Sequence, residues 1–419
     1  MKTDAELYDI IITGAGPAGL FCAINCCGNK SSRILVLEKM PTAGRKLLIS
    51  GSGSCNITHS GSIKDFEGKY GRHGQFIRHA LSAFTNTDMV NFLNSNGIKT
   101  VEMENGKIFP ESMKAREILD LLLHLCRKNG VEILYNHGVQ DIQYSDNRFR
   151  VRADDPAELF ESRFCVITTG GSSYPLTGSS GDGYKLAEKF GHEIVPATPA
   201  LTPVTALTPE TSLPPELSGI TLQNASITLV REGRQIICST GDLLFTRTGL
   251  SGPVILDMSR YLMPGDKFRI SFSRLDYKTL ENSFIKISRE EGKRGIKTIV
   301  RQFGVPERLV QTLLDRLEIQ TDKRSSEISK HERKKIVSAM TEFPVTVKSK
   351  GDFSVAMATA GGVSLAGINK RTMESKIAPG LFFAGEVLDI DGDTGGYNLQ
   401  AAFSTGKLAA DSIISRLLK

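Results

Sequence analysis

The chain has 419 residues, of which 40% are hydrophobic and 23% charged, as in ordinary globular proteins. Its net charge of +6 is modest for this length, so it slightly favours anionic ligands and does not demand a nucleic acid. No apolar run reaches the about 18 residues that span a bilayer, and the first residues lack the plan of a signal peptide. Seven cysteines without regular spacing argue against a disulfide scaffold. We therefore expect a cytoplasmic protein with no membrane partner.

Hydrophobic patterning predicts the elements in chain order. Strands are expected near residues 9–13, 33–37 and 131–135, with a helix near 115–129. A proline-rich stretch, Pro196–Pro203, has the composition of a linker. Residues 204–275 then show the pattern of short strands, and residues 276–340 that of charged helices.

These elements predict an α/β fold of three parts, since a chain of this length exceeds a single core. The expected parts are a discontinuous Rossmann-like domain of residues 1–195 and 345–419, a β-rich insert of residues 196–275 and about 336–344, and a small helical domain of residues 276–335.

The first strand leads into Gly14-Ala15-Gly16-Pro17-Ala18-Gly19, the pattern of a dinucleotide-binding turn. Gly14 permits a tight turn, Gly16 lets backbone N–H groups approach a pyrophosphate, and Gly19 lets the next helix lie close to the sheet. Glu38 follows at the end of the second strand, where a carboxylate can accept hydrogen bonds from ribose hydroxyls. Its charge would repel a 2′-phosphate, so the motif predicts a dinucleotide that lacks one.

A glycine-rich loop, Gly44–Thr58, comes soon after Glu38. Arg45 and Lys46 can bind phosphate oxygens, and the glycines that follow let a ring system approach the backbone. A flexible surface loop is the alternative, but the apolar residues 47–49 and the neighbouring glycine turn favour ligand contact.

The second half of the nucleotide site is predicted at the far end of the chain. Leu381–Glu386 is a short apolar strand with a glycine turn, and Asp393–Gln400 is a glycine turn that leads into a helix. Because strand, turn and helix recur at both ends, we expect the termini to meet in one domain. The positive end of the last helix would stabilise a nearby anion by roughly a kcal/mol or less.

With these motifs the sequence resembles the BaiN-like (also called YhiN-like) family of NAD(P)/FAD-dependent oxidoreductases. The matching segments cover nearly the whole chain in order: Gly14–Gly19, Gly44–Asn56, Phe109–Ala115, Thr169–Pro175, Gly181–Tyr184, Leu244–Pro253, Thr372–Lys376 and Gly380–Gly406. The resemblance implies a tightly held FAD in a split Rossmann-like domain of the glutathione-reductase type, capped by a β-rich insert and a small helical part.

The resemblance also implies how the chain contacts FAD. The first glycine turn would serve the pyrophosphate and Glu38 the ribose, with Arg45 and Lys46 near the phosphates and the backbone of Val139 at the adenine. The C-terminal motifs would lie beside the ribityl chain and the isoalloxazine. The residues expected at the cofactor are Gly14, Ala15, Gly16, Pro17, Ala18, Gly19, Glu38, Lys39, Arg45, Lys46, Ser50, Gly51, Cys55, Asn56, Val139, Thr169, Gly170, Gly171, Gly385, Glu386, Gly396, Asn398, Leu399 and Gln400.

Two positions depart from the family pattern. Ser54 stands where the family usually has an arginine before its Cys-Asn pair, and Arg247 stands where its Phe-Thr-His motif has histidine. Both departures could alter the choice of substrate, and we expect them to leave FAD binding intact.

The catalytic residues are not identified by the sequence, because protein groups in a flavoenzyme mainly position the substrate and adjust the cofactor. Cys55 could be a thiol beside the flavin, and Tyr174 or Tyr397 could supply a proton, although either tyrosine could simply pack. Arg247 could bind a carboxylate or form a structural salt bridge. No histidine stands in a metal-ligand pattern, so we expect no metal.

The function expected first is FAD-mediated hydride transfer from NAD(P)H to a small organic acceptor, such as a conjugated enone. Since only one complete dinucleotide fingerprint is present, NAD(P)H would visit the flavin transiently. The alternatives are an FAD-dependent RNA-modification enzyme and a non-enzymatic flavin redox sensor. No nucleic-acid partner is expected, because the basic run Lys323–Lys335 also contains acidic residues and no aromatic ones. The sequence leaves the choice of NADH or NADPH and the oligomeric state open.

Overall fold

The computed structural model describes residues 6–27, 32–154, 158–207 and 215–418. The chain forms two compact units. The first unit is Met1–Thr198 with Ala356–Lys419, and the second unit is Pro199–Val355.

A seven-stranded sheet forms the centre of the first unit. Ile10, Ile11 and Ile12 of its first strand are fully buried, as expected for a parallel sheet that is covered on both faces. The strands in spatial order are β6 (Glu132–Tyr135), β2 (Ile34–Glu38), β1 (Glu6–Thr13), β9 (Leu159–Ile167), β8 (Arg148–Ala153) and β7 (Val139–Ser145), with β18 (Leu381–Phe383) paired to the end of β9.

Strand β9 lies between a strand from the N-terminal part of the chain and a strand from its C-terminal part. It pairs in parallel with β1 on one side and with β18 on the other, and Thr13, Ile167 and Phe383 form one row across the three strands. The carboxyl ends of these strands therefore meet at one edge of the sheet, where open α/β sheets bind ligands. The turns that contain Gly14, Gly170 and Gly385 begin within a few residues of the ends of β1, β9 and β18.

Two helices of the first unit, α1 (Pro17–Cys26) and α13 (Tyr397–Leu417), cross closely. A Cβ on Gly406 would lie 2.6 Å from the backbone oxygen of Ala18, so only glycine allows this approach. The remaining helices are α2 (Arg45–Ile49), α3 (Ile63–Glu67), α4 (Gly74–Ala83), α5 (Asn86–Ser95), α6 (Ala115–Lys128) and α7 (Asp182–Lys189). The minor strands are β3 (Thr58–His59), β4 (Thr100–Glu102) and β5 (Lys107–Pro110) in one sheet, and β10 (Ile194–Ala200) with β17 (Ala358–Val363) in another.

The second unit is a closed β-barrel with attached helices, and Phe245, Phe268 and Phe284 belong to their common hydrophobic core. Barrel closure leaves no sheet edge open. The strands in barrel order are β11 (Val204–Leu207), β14 (Gly249–Ser251), β13 (Arg234–Phe245), β12 (Thr221–Arg231), β15 (Lys267–Ser271) and β16 (Phe343–Lys350). The helices are α8 (Pro253–Met258), α9 (Tyr277–Glu290), α10 (Ile296–Arg301), α11 (Glu307–Arg316) and α12 (Lys330–Thr341).

The predicted fold class is confirmed: a Rossmann-type sheet is accompanied by a β-barrel insert with attached helices. The strands predicted to be mostly short over residues 204–275 include β11, β14 and β15, with 4, 3 and 5 residues. The two exceptions are β12 and β13, with 11 and 12 residues. They form one hairpin around Glu232 and Gly233, both at positive φ, which is the backbone that a tight two-residue hairpin turn requires.

Candidate cofactor site

The first glycine turn leaves space beside the start of α1. No side chain caps this helix at Gly16. A Cβ on Gly16 would meet no described atom within 4 Å, whereas a Cβ on Gly19 would lie 2.0 Å from the backbone oxygen of Gly14. Gly19 is thus required by packing, while Gly16 borders open space at the positive end of a helix. That combination suits a pyrophosphate.

Glu38, at the end of β2, holds this turn in place. Its Oε2 accepts a hydrogen bond from the N–H of Ala15, and its Oε1 accepts one from the N–H of Met40, both at 2.8 Å. Burial raises the pKa of the carboxyl above its usual value, against the effect of these two bonds. Each oxygen keeps a second lone pair, so Glu38 can fix the turn and also accept a ribose hydroxyl.

The segment before β7 lies beside the end of β2. The N–H of His137 donates to the backbone oxygen of Glu38 at 2.8 Å, and Val139 follows as the first residue of β7. The Nζ of Lys39 lies 2.5 Å from a carboxylate oxygen of Asp182 in α7. Lys39 therefore joins the end of β2 to α7, and the contact of Val139 with the adenine stays a prediction.

The two cations of the glycine-rich loop have different surroundings. The Nζ of Lys46 lies 2.7 Å from Oε2 of Glu386, whose Oε1 accepts a hydrogen bond from the N–H of Thr359 at 2.8 Å. Arg45 is half-buried and forms no ion pair with any described residue. Lys46 thus connects α2 to the segment after β18, and Arg45 is the cation that remains available for a phosphate.

The loop after α2 is fixed to the start of α13. Gly51 has a φ of +54°, and a Cβ there would lie 2.8 Å from the backbone nitrogen of Asn56. The Ser50 hydroxyl donates to a backbone oxygen of the preceding turn at 2.7 Å. With its amide oriented to satisfy both neighbours, Asn56 donates to the backbone oxygen of Thr58 and accepts from the N–H of Gly396. Asn56 therefore holds the loop against α13.

A second glycine turn follows β9. Gly170 has a φ of +76°, and a Cβ on Gly171 would lie 2.5 Å from Oγ1 of Thr359. The same Oγ1 accepts hydrogen bonds from the N–H groups of Ser172 and Ser173, at 2.9 and 3.1 Å. Thr359, in the C-terminal segment of the first unit, thus fixes the backbone of this turn through its hydroxyl.

The turn after β18 packs directly on α1. A Cβ on Gly385, whose φ is +79°, would lie 2.8 Å from Cβ of Ala18, and the N–H of Gly385 donates to Oγ1 of Thr405 at 2.9 Å. The structure therefore brings the N-terminal and C-terminal motifs together.

The first turn of α13 uses its polar side chains for internal bonds. The Asn398 amide accepts from and donates to the backbone of Gly392, at 2.8 and 2.9 Å. The Gln400 amide donates to the backbone oxygen of Phe84 at 3.0 Å, and Leu399 packs on the core. No side chain caps the helix, so its N-terminal backbone N–H groups are what it can offer to a ligand.

Three hydroxyls at this site are buried without a well-formed hydrogen bond within the described chain: Thr58 Oγ1, Thr169 Oγ1 and the phenol of Tyr184. Burial and then the nearby Glu386 carboxylate raise the pKa of Tyr184, against a smaller opposing effect of a contact with Ser172, so its hydroxyl keeps its proton and can donate. An unpaired buried hydroxyl costs about 1–3 kcal/mol. A bound cofactor rich in acceptors would pair such groups, so the residues present fit FAD.

Two of the catalytic candidates are buried. Cys55 is fully buried, and burial raises the pKa of its thiol to about 12, so it is a neutral thiol near pH 7. Tyr397 stacks on His59 with ring centroids 5.2 Å apart, and Tyr70 donates to its backbone oxygen at 2.8 Å. These are the surroundings of packing residues, and they offer no support for thiolate chemistry at Cys55.

The other two candidates are more accessible. Tyr174 is half-buried, with a φ of +54°, in the turn that follows Gly171. In the second unit, Arg247 is exposed on the turn between β13 and β14 and forms no ion pair with a described residue. The salt-bridge alternative for Arg247 therefore has no partner in the described chain, and anion binding stays a prediction.

Sequence reasoning missed Thr359 and gave Tyr184 no role. Tyr184 stands in the Gly181–Tyr184 motif, which was a usable signal, whereas nothing local distinguishes Thr359. The described residues contain no group of three or more His, Cys, Asp or Glu that could hold a metal ion, and no helix among them is long and apolar enough to cross a bilayer.

A family comparison agrees with this geometry. The family described as the HI0933-like protein Rossmann domain matches residues 8–412. The chain belongs to this family of FAD-dependent oxidoreductases. The family assignment confirms the BaiN-like resemblance that the motifs predict, and it makes this protein a flavoenzyme with a Rossmann-type FAD domain.

Several curated relatives match almost the full chain. It is 32% identical over 417 residues to the ribosomal RNA dihydrouridine synthase of Escherichia coli, covering 98% of this chain and 99% of the relative. The enzyme of the same name from Haemophilus influenzae is 32% identical over 412 residues, with 98% and 99% covered. The 3-dehydro-bile acid delta(4,6)-reductase of Clostridium scindens is 28% identical over 421 residues, with 97% and 98% covered.

Solved structures share the fold. The 3-ketosteroid-delta4-(5alpha)-dehydrogenase of Rhodococcus jostii aligns with a TM-score of 0.53 at 14% identity, covering 99% of this chain and 98% of that one. The 3-ketosteroid delta1-dehydrogenase of Sterolibacterium denitrificans aligns with a TM-score of 0.52 at 12% identity, covering 98% and 100%. At such low identity these matches speak for the fold alone.

Proposed function

We propose that this protein reduces a carbon–carbon double bond conjugated to a carbonyl group, with NADH or NADPH as electron donor and FAD as carrier. The supporting observation is its near-full-length similarity to a dihydrouridine synthase and to a bile acid delta(4,6)-reductase. Both names describe saturation of a ring double bond, and in uracil and in a ring enone that bond is conjugated to a carbonyl. Saturation of a double bond conjugated to a carbonyl is therefore the reaction that both relatives' names support.

The residues of the first unit would hold the cofactor. When bound, FAD supplies hydride transfer between a reduced nicotinamide and a carbon acceptor. The open side of Gly16 and the start of α1 would receive the pyrophosphate, Arg45 would bind phosphate oxygens, and Glu38 would accept the ribose hydroxyls. Thr169 and Tyr184 would donate their buried hydroxyls, which lack a well-formed hydrogen bond within the described chain, to cofactor acceptors.

The reaction balances without a further reagent. One hydride from the nicotinamide is added to the carbon β to the carbonyl, and one proton is added to the α carbon. NAD(P)H becomes NAD(P)⁺, and the substrate gains two hydrogen atoms. Tyr174 stays the protein's candidate proton donor, because it follows the second glycine turn and is only half-buried.

We place uridine in ribosomal RNA first among the substrates. Two relatives with 32% identity over 98% of this chain carry that activity in their names, against one at 28% for the bile acid reductase. From the sequence alone, a small organic acceptor comes before RNA, so this order of substrates is the reverse. The names of the two relatives also argue against the expectation that the protein has no nucleic-acid partner. A ring enone is the second candidate, favoured by the relative from Clostridium scindens. The buried neutral thiol of Cys55 weakens the case for a redox sensor.

The test is an anaerobic two-step experiment on the purified holoprotein. NADH and NADPH are each mixed with it in a stopped-flow instrument, and loss of the visible flavin absorbance identifies the donor. The reduced protein is then mixed with unmodified ribosomal RNA or with a ring enone, and the products are weighed by mass spectrometry. We expect flavin reoxidation together with a gain of two hydrogen atoms in one of the acceptors. Failure of both nicotinamides to reduce the flavin would reject the proposed donor.

A further inference from the structure

A groove of about 380 Å³ lies in the first unit, between α4 and the segment that follows β17. Its apolar lining consists of Phe76, Leu365 and Ile368. Ile368 is almost fully buried, whereas Phe76 and Leu365 are half-buried and pack on the hydrophobic core with one side. The groove therefore presents an aromatic ring and aliphatic groups on a firm support.

Three exposed cations line the same groove: Lys370, Arg371 and Lys376. Lys370 and Arg371 form no ion pair with any described residue, and the Nζ of Lys376 donates only to the backbone oxygen of Ala366 at 2.8 Å. The groove thus has positive charge that the described chain does not neutralise.

The histidine His79 lies close to these cations. His79 follows the groove residue Phe76 by one helical turn of α4. Burial, then the charges of Lys370, Arg371 and Arg78, lower the pKa of His79. Arg78 itself is paired with Glu67, so the excess positive charge comes from the two loop cations.

We propose that this groove binds a single-stranded segment of the RNA substrate. Lys370, Arg371 and Lys376 would contact successive phosphates, and a nucleobase would lie on Phe76. This inference rests on ribosomal RNA being the proposed substrate.

Single-stranded RNA matches the groove in two respects at once. Proteins bind such strands through a positive groove that follows the backbone and an aromatic face on which a base stacks. A steroid-like enone carries no row of anionic groups, so it would leave the three cations unmatched. The basic face of α12 (Lys330, Lys334 and Lys335) is also exposed, but neither it nor its flanking run contains an aromatic residue.

The test measures the salt dependence of RNA binding with the FAD-loaded protein. A fluorescein-labelled single-stranded RNA of mixed sequence is titrated at several salt concentrations, and binding is followed by anisotropy. The groove variant carries Lys370→Ala, Arg371→Ala and Lys376→Ala. The matched control carries Lys330→Ala, Lys334→Ala and Lys335→Ala, which removes the same charge from α12.

We expect the groove variant to lose about two units of the slope of log affinity against log salt, since each phosphate contact with a single strand contributes about 0.7. The α12 variant should keep the wild-type slope. Phe76→Ala should weaken binding about 5- to 100-fold with the slope unchanged, as expected for a lost stacking contact. An unchanged slope in the groove variant, or an equal loss in the α12 variant, would overturn the inference.

Two controls separate this inference from the proposed reaction. Flavin reduction by the nicotinamide should be as fast in the groove variant as in the wild type, which shows that fold and donor site are intact. If the wild type binds no RNA yet reduces a ring enone, the groove inference is rejected and the reaction class stands. If it binds RNA through the groove but reduces no acceptor, the reaction class is rejected and the groove stands.

Discussion

Lys46 and Glu386 are 340 positions apart in the chain, and their side chains meet with 2.7 Å between Nζ and Oε2. Both side chains are about one-fifth exposed, so the pair is only partly screened by water. Glu386 also accepts a hydrogen bond from the N–H of Thr359 in β17. The pair therefore connects the glycine-rich loop both to the segment after β18 and to β17. The N-terminal and C-terminal halves of the candidate FAD site are thereby held to each other by the protein itself.

Breaking this pair should loosen the site. Lys46→Met leaves a partly buried carboxylate without its cation, and we expect a loss of about 1–3 kcal/mol in the free energy of unfolding. FAD affinity, measured by fluorescence titration, should fall about tenfold, which is about 1.4 kcal/mol. The control is Lys407→Met, which removes a pair with Asp411 within α13 and should change stability by about 0.5 kcal/mol or less. Equal behaviour of the two variants would contradict the role given to Lys46.

Gly16 and Gly19 should fail in different ways when replaced by alanine. The Gly16 φ of −82° suits any residue, and its Cβ would occupy the space assigned to the pyrophosphate. Gly16→Ala should therefore unfold in urea like the wild-type apoprotein while losing most of its FAD affinity. Gly19→Ala places a Cβ 2.0 Å from a backbone oxygen and should destabilise the apoprotein itself. If Gly16→Ala bound FAD normally, the pyrophosphate would lie elsewhere.

Tyr184→Phe separates stability from cofactor binding. Removing a buried hydroxyl that has no well-formed hydrogen bond should raise the free energy of unfolding of the apoprotein, by up to about 1–3 kcal/mol. If that hydroxyl donates to FAD, the same change should weaken FAD binding, by a net hydrogen bond of about 0.5–1.5 kcal/mol. Urea unfolding and FAD titration measure the two effects. A variant that binds FAD as tightly as the wild type would remove Tyr184 from the site.

Cys55 should be unreactive at neutral pH. Its side chain is fully buried and burial raises its pKa to about 12, so both access and thiolate population are low. Cys238 is exposed and should be alkylated first by iodoacetamide. Because the raised pKa favours the protonated thiol, labelling of Cys55 should rise only as the pH approaches about 12 or as the protein unfolds. Mass spectrometry of the labelled peptides gives the order, and early labelling of Cys55 would revive a redox role.

The strands and turns of the candidate site could be predicted from local sequence patterns. The hydrogen-bond partners of its side chains could not, because those partners are distant in the sequence. The apolar run of β1, the glycine turn and Glu38 are signals that act over a few residues, so they could be placed from sequence. The partner of Lys46 could not, because nothing near it in sequence indicates a carboxylate 340 positions away. Asn398 and Gln400 are predicted at the cofactor from the family resemblance, but their side-chain amides form hydrogen bonds with the backbone of Gly392 and Phe84. The type of a residue indicates that it can bind, and only the fold shows whether that capacity is already used.

FAD-mediated saturation of a conjugated double bond is tested most directly by a single turnover. The holoprotein is reduced anaerobically, freed of nicotinamide and mixed with unmodified ribosomal RNA, and the visible flavin absorbance is followed while nuclease digests are weighed. We predict that the flavin reoxidises as dihydrouridine appears, one per flavin. A flavin that stays reduced with the RNA and also with a ring enone would contradict the proposed function.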